Sequence, residues 1–132
     1  MSDIFTVELI SPDQTILKLE ANEVIIPSYE GQMGILSNHI PLITFLRPGI
    51  IIIKTKVEKK FYVEEGTVEF SNNNLLILTS TARDLAKFDK VLVNDLLKKA
   101  ELQLNNKDFS DKDRYVVSYK IETLREISQL RD

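Results

Sequence analysis

Residues 30–49 hold three of the four glycines and two of the four prolines, set between segments rich in aliphatic and β-branched residues. Glycine permits positive φ and close backbone approach, and proline fixes φ while removing a donor. Clustered together, they prescribe one backbone path more tightly than any other stretch of the chain does. The stretch reads Glu30-Gly31-Gln32-Met33-Gly34-Ile35-Leu36-Ser37-Asn38-His39-Ile40-Pro41-Leu42, then Arg47-Pro48-Gly49, and contains the single histidine. By residue type alone it fits either tight-turn chemistry in a β domain or a shaped binding loop.

Around it, short apolar or alternating segments predict strands over residues 4–10, 15–19, 23–26, 50–57, 61–64, 67–70 and 75–79. Pro12-Asp13, Glu65-Gly66 and Asn72-Asn73-Asn74 supply the breaks, at a spacing that suits an antiparallel sandwich or barrel and not an alternating βαβ chain. Beyond Thr81 the period changes. Val93, Leu97, Ala100 and Leu104 recur at helical spacing, with Asp89 as the expected N-cap of a helix over residues 88–104. Asn105 to Phe109 break the pattern, and Ser110-Asp111-Lys112-Asp113 resembles a capping box that starts a second helix. Val117, Ile121, Leu124, Ile127 and Leu130 form its stripe. So short a connection predicts an antiparallel hairpin, and helices of this length are marginal alone in water, so the hairpin needs a surface to dock on. The fold class expected is an all-β sandwich followed by an α-helical hairpin, with residues 1–84 and 85–132 as the two domains.

Composition narrows the function classes. At 132 residues, with 43% hydrophobic and 28% charged side chains, the chain has the makings of an ordinary folded core. Residues 1–84 carry seven basic and eleven acidic side chains, and residues 85–132 carry ten and nine, so neither half has the basic stripe of a nucleic-acid binder. Lys54, Lys56, Lys59 and Lys60 are the local exception, and Lys54 and Lys56 are expected on one solvated face of an edge strand. The longest apolar run, Ile50 to Ile53, falls far short of the roughly 20 residues that span a bilayer. No leader pattern opens the chain, so a cytoplasmic location is expected. The absence of cysteine removes disulfides, thiolate catalysis and cysteine-based metal sites.

Enzyme chemistry finds little material. One histidine and no cysteine leave few ways to build a histidine triad or a multi-histidine metal site, and His39 reads as a loop-stabilising residue, an interface residue or a lone metal ligand. Glu64 and Glu65 point to opposite faces of a strand and cannot act as a carboxylate dyad. Gly31-x-x-Gly34 is too short to cradle phosphates. No cofactor is expected.

One further pattern concerns order along the chain. Glu23-Val24-Ile25-Ile26-Pro27 precedes Glu30-Gly31, Gly34, His39, Pro41-Leu42 and Arg47-Pro48-Gly49-Ile50. Val68-Glu69-Phe70-Ser71-Asn72-Asn73 and Leu76-Ile77-Leu78 follow, leading into Thr81-Ala82. This order resembles the ε subunit of F-type ATP synthases, in which a valine-rich strand is followed by EGELG, a short apolar pair, PGHAPL and a KPG turn. The resemblance spans the chain and is strongest up to Ala82.

What the resemblance implies is a non-catalytic subunit of the central stalk, with a β-sandwich and a helical hairpin, coupling ion-driven rotation of a membrane ring to ATP synthesis in the catalytic head. It implies contact with the γ subunit and with the polar loops of the membrane c-ring. It also implies contact with the α and β subunits when the hairpin extends and restrains hydrolysis. It implies no nucleic-acid partner and no direct membrane insertion. The implied location is the cytoplasmic face of the bacterial plasma membrane, as a peripheral part of the synthase. Glu30, Gln32 and His39 are the implied ring-facing positions, Gln32 standing where an acidic residue is usual and Ser37-Asn38 where Pro-Gly is typical. Asparagine tolerates the left-handed conformation, so the same turn remains open to it.

A nucleotide site is implied only in part. Asp89 and Arg125 match, but Leu92 and Val93 occupy the arginine and alanine positions of the first helix and Gln129 that of a second arginine, which removes charged partners for phosphate. The competing reading is a free-standing β-sandwich binding module that dimerises through the hairpin. It calls for a concave pocket lined by aromatics drawn from Tyr29, Phe45, Phe61, Tyr62 and Phe70. A third reading, a small hydrolase, requires a polar cluster around His39.

Overall fold

The computed structural model describes residues 3–130. The chain divides into two compact units, Met1–Leu85 and Ala86–Asp132. In the first, ten strands follow one another: β1 (Phe5–Ser11), β2 (Gln14–Ala21), β3 (Glu23–Ser28), β4 (Gly31–Leu36), β5 (Leu42–Leu46), β6 (Gly49–Lys54), β7 (Glu58–Val63), β8 (Gly66–Ser71), β9 (Asn74–Thr79) and β10 (Ala82–Asp84). They form one hydrogen-bonded path, β10-β7-β6-β3-β5-β8-β9-β1-β2, with β4 paired to β3 off that path. All pairings are antiparallel except β1 with β9. The path folds over on itself as a sandwich whose inward residues alternate along each strand, as a period of two requires.

Val7 and Leu9 from β1, Val24 and Ile26 from β3, Ile51 and Ile53 from β6, Val68 and Phe70 from β8, and Leu75 and Ile77 from β9 are fully or almost fully buried in one core. Each such side chain contributes about 1.5–3 kcal/mol by leaving water, so these ten alone outweigh any surface contact in holding the two layers together. Phe5 meets Phe70 edge to face at 5.6 Å, closing one end of the core.

The strands differ from the sequence expectation in several places, among them the short β10, which was not expected. Residues 31–36 and 42–46 are strands, so the glycine-rich stretch is a strand with a turn at each end and not a continuous loop. Gly31 and Gly34 sit in the β3–β4 ladder, opposite Ser28 and Ile25, where no single-residue pattern announces a strand. Lys54 ends β6, which lies between β7 and β3, so it is not on an edge strand and Lys56 falls in the following turn. Lys54 Nζ instead lies 3.4 Å from Glu23 and 4.0 Å from Glu58.

A single 3₁₀ turn, Leu85–Lys87, precedes the two helices α1 (Lys90–Leu104) and α2 (Asp111–Leu130). Asp89 caps α1, its Oδ1 accepting from the Leu92 N–H at 2.8 Å. Ser110 caps α2 in the same way, its Oγ accepting from the Asp113 N–H at 3.0 Å. Ala100, Val117 and Ile121 are buried together, with Leu97, Leu104 and Phe109 packed around them. Leu130, expected on the stripe, is 63% exposed.

Candidate functional site

The β3–β4 turn carries Tyr29 and Glu30, and its shape is fixed from beneath. Ser28 Oγ donates to the Gly31 carbonyl at 2.7 Å and accepts from the Glu30 N–H at 3.2 Å. Gly31 has a φ of 117°, a conformation open to glycine and strained for other residues. Arg47 Nε donates to the Ser28 carbonyl at 3.1 Å and its backbone N–H to the Pro27 carbonyl at 3.0 Å. Behind it, a Cβ on Gly49 would lie 2.6 Å from the Pro27 Cβ, so the Arg47-Pro48-Gly49 run works as the brace of this turn. Glu30 on the turn and Gln32, the second residue of β4, are both exposed.

His39 lies at the opposite end of β4, after Ser37 and Asn38. Six strand residues at about 3.3 Å each separate it from Glu30, roughly 20 Å, so the three expected interface residues form two groups and not one cluster. Asn38 has a φ of 63°, the left-handed conformation that asparagine tolerates. The His39 N–H donates to the Leu36 carbonyl at 3.2 Å, and its ring stands edge-on to Phe70 at 5.9 Å. Nδ1 approaches the Ile40 carbonyl at 2.7 Å, a contact that requires the proton on that nitrogen. These contacts are those of a half-buried loop residue. Among the described residues, no group of three or more His, Asp or Glu is placed to hold a metal ion.

The sandwich also carries an apolar outer face that the sequence reading missed. Register sets Phe45, Thr67 and Leu78 in one row across β5, β8 and β9, and Ile43, Glu69 and Leu76 in the next. Ile43 is 77% exposed, Phe45 63% and Leu78 43%. Beside the row, Ile10, Pro12, Gly66, Thr67, Leu78 and Thr79 line a shallow depression of about 510 Å³. The signal was present as Ile43-x-Phe45 alternation, hidden by the proline and glycine on either side.

Tyr62 on β7 is buried, and its hydroxyl donates to Glu64 Oε2 at 2.9 Å. Burial, reinforced by the neighbouring Glu64 charge, pushes its pKa well above the ordinary tyrosine value. Phe61 and Phe70 are likewise buried while Phe45 faces out, so these aromatics do not converge on a pocket. The depression beside Leu78 has no aromatic in its lining.

In the helical unit, Arg125 lines a depression of about 590 Å³ with Leu104, Ser118, Ile121, Glu122, Glu126 and Gln129. Two carboxylates flank the one arginine, an arrangement that repels a polyphosphate. Asp89 is engaged as the helix cap. The connection between the helices is held by Arg114, whose Nη1 donates to the Leu104 carbonyl at 2.6 Å and Nη2 to the Asn106 carbonyl at 3.0 Å. A cation at these carbonyls also complements the C-terminal end of α1. Sequence reading passed over Arg114 because its partners are main-chain atoms.

Comparison with known proteins gives a consistent set of likenesses. Residues 4–84 match the family described as ATP synthase, Delta/Epsilon chain, beta-sandwich domain. The ATP synthase epsilon chain of Pelagibacter ubique (strain HTCC1062) is 43% identical over 130 residues, covering 97% of this chain and all of that one. The chloroplastic ATP synthase epsilon chain of Porphyra purpurea is 34% identical over 128 residues, covering 95% and 89%. In fold, a chain of the Euglena gracilis mitochondrial ATP synthase superposes with a TM-score of 0.77 at 19% identity, covering 100% of this chain and 84% of that chain.

Proposed function

The chain belongs to the ATP synthase delta/epsilon family as an epsilon-type, non-catalytic subunit of the central stalk, linking rotation to catalysis, and on that premise we propose which surfaces it uses. The outer face bearing Ile43, Phe45 and Leu78 docks on the γ subunit. Glu30 on the β3–β4 turn and Gln32 at the start of β4 meet the polar loops of the c-ring, and His39 presents a second polar contact at the other end of β4. The hairpin of α1 and α2 reaches the α and β subunits when it extends. The location proposed is the cytoplasmic face of a bacterial plasma membrane, as a peripheral part of the synthase. Among the described residues, no helix is long and apolar enough to cross a membrane.

The observation that carries this reading is the exposed row of Phe45, Thr67 and Leu78 with Ile43 beside it. A cluster of large apolar side chains in water, with Thr67 and Glu69 between them on the middle strand β8, has the composition of a partner surface, and its aromatic, Phe45, is the usual kind of anchor. An alternative in which the c-ring takes this face is disfavoured, because polar loops gain little from apolar area. The test is competition for γ. Phe45→Glu should weaken co-purification with γ by about thirtyfold or more, the loss expected of an interface anchor, while leaving the thermal midpoint of the free subunit unchanged. Unaltered γ binding by both Phe45→Glu and Ile43→Glu would remove the assignment.

A further inference from the structure

The turn that carries His39 is tied to a second turn 35 residues away. The Asn38 N–H donates to Asn73 Oδ1 at 2.6 Å, and Asn73 Nδ2 donates back to Asn38 Oδ1 at 3.0 Å. Both residues have left-handed backbones, with φ of 63° and 58°, and Asn72 joins them at 50°. Left-handed non-glycine residues are uncommon, and asparagine is among the residues that bear the conformation best. Here one residue type at each turn meets two demands, the backbone shape and the bridge between the turns.

The Asn73 side of the bridge is tied directly into the sheet. The Thr6 N–H donates to the Asn73 carbonyl at 3.0 Å, which fixes the β8–β9 turn to the start of β1. The turn of residues 37–39 has its own closing bond, from His39 N–H to Leu36, and the edge-on contact of the His39 ring with Phe70. Phe70 is a core residue, whereas His39 follows a turn whose other residues are largely exposed. Beside the amide pair, the position of the histidine relative to the sandwich rests on that ring contact, on bonds within its own turn and on the ladders that flank it three residues away, Leu36 opposite Glu23 and Leu42 opposite Phe70.

We propose that Asn73 is a positioning residue for the His39 contact: through its reciprocal bonds to Asn38 it fastens the His39 turn to β1 and makes the ends of β4 and β8 one stiff polar surface. This rests on the reading that His39 meets a partner in the synthase. A subunit that transmits rotation loses coupling wherever a contact residue sits on a compliant loop, so the bridge acts where stiffness matters. The surface it extends includes Asn72 and Asn74, both exposed neutral amides, and fits a partner presenting polar main-chain or amide groups and not a highly charged one.

The experiment uses the full-length chain and synthase depleted of its own ε subunit. Four variants are compared with the wild type: Asn73→Gly, Asn38→Gly, the double variant Asn38→Gly with Asn73→Asp, and His39→Ala. Glycine keeps the left-handed backbone while removing the side chain, so folding is preserved, and the thermal midpoint of each free variant checks this. Asn73→Gly is expected to speed hydrogen exchange at the Asn38 amide. It is also expected to weaken binding to the depleted synthase about three- to tenfold, the range of one or two net hydrogen bonds, approaching the effect of His39→Ala. The double variant restores an acceptor for the residue 38 N–H and should recover most of the affinity lost in Asn73→Gly. If His39→Ala weakens binding but Asn73→Gly does not, the positioning role is wrong and the interface reading stands. If His39→Ala leaves binding unchanged, the interface reading fails and takes the proposal with it.

Discussion

The sandwich and the hairpin are held by different kinds of interaction. In the sandwich, residues far apart in sequence pair across β1 with β9 and β3 with β6, and a contiguous apolar core fixes every register. In the hairpin, Ala100, Val117 and Ile121 form a smaller cluster with three partly buried neighbours, Val93, Leu124 and Ile127 are buried as well, and caps at Asp89 and Ser110 and the bonds of Arg114 add local definition. A one-residue slip in the sandwich would turn a whole strand inside out, whereas two helices packed through a smaller cluster and local caps can shift without such a penalty. Long-range pairing of this kind suits the sandwich to transmission of torque, and the proposed movement of the hairpin would draw on its more local ties.

The difference can be broken from either side. Phe70→Ala empties the end of the sandwich core where Phe5 and His39 also meet it, and should cost about 3–5 kcal/mol in denaturant unfolding of that unit. Ile121→Ala should cost the hairpin about 2–3 kcal/mol, with helical circular dichroism falling while amide protection in the strands persists. If strand protection collapsed with the helices, the two units would be one cooperative whole and the contrast would be lost.

Smaller effects sharpen it. Arg114→Ala should destabilise the hairpin by about 1–2 kcal/mol by uncovering the carbonyls of Leu104 and Asn106, seen as faster exchange at the end of α1. Tyr62 gives the sandwich a pH signature. Its pKa is raised on folding, so the unfolded chain releases this proton first as the pH passes about 10, and stability present below that pH declines above it. Tyr62→Phe should flatten that alkaline decline in pH-dependent melting. The least effect is expected from nucleotide: with Arg125 flanked by Glu122 and Glu126, calorimetry with ATP should give no dissociation constant below a millimolar scale, and a tighter one would overturn this.

Legibility in the sequence followed the range of the interactions. Both helices and their caps could be read because Asp89 and Ser110 act within three residues of themselves. Seven strands could be read from local apolar pattern. β4 and β5 could not, since glycine at 31 and 34 and proline at 41 carry turn signals, and only pairing with β3 and β8 makes these segments strands; β10, three residues long, is a strand only through its pairing with β7. The Arg47-Pro48-Gly49 run was legible as a turn but not as the brace of another turn, because its partners are main-chain atoms of Pro27 and Ser28. For the candidate surfaces, residue types pointed to Glu30, Gln32 and His39, yet the distance between Glu30 and His39 depends on β4 being a strand. Asn73 was legible only as a break, and its bridge to Asn38 spans the fold.

The most direct measurement is ion-driven ATP synthesis by membrane vesicles whose synthase has been depleted of its ε subunit, before and after adding back the full chain or residues 1–85. Full recovery with the whole chain, and retained synthesis with faster hydrolysis after removal of the helices, is the result predicted for a rigid coupling unit with a movable arm. Tight binding of the whole chain with no recovery of synthesis would contradict the coupling role.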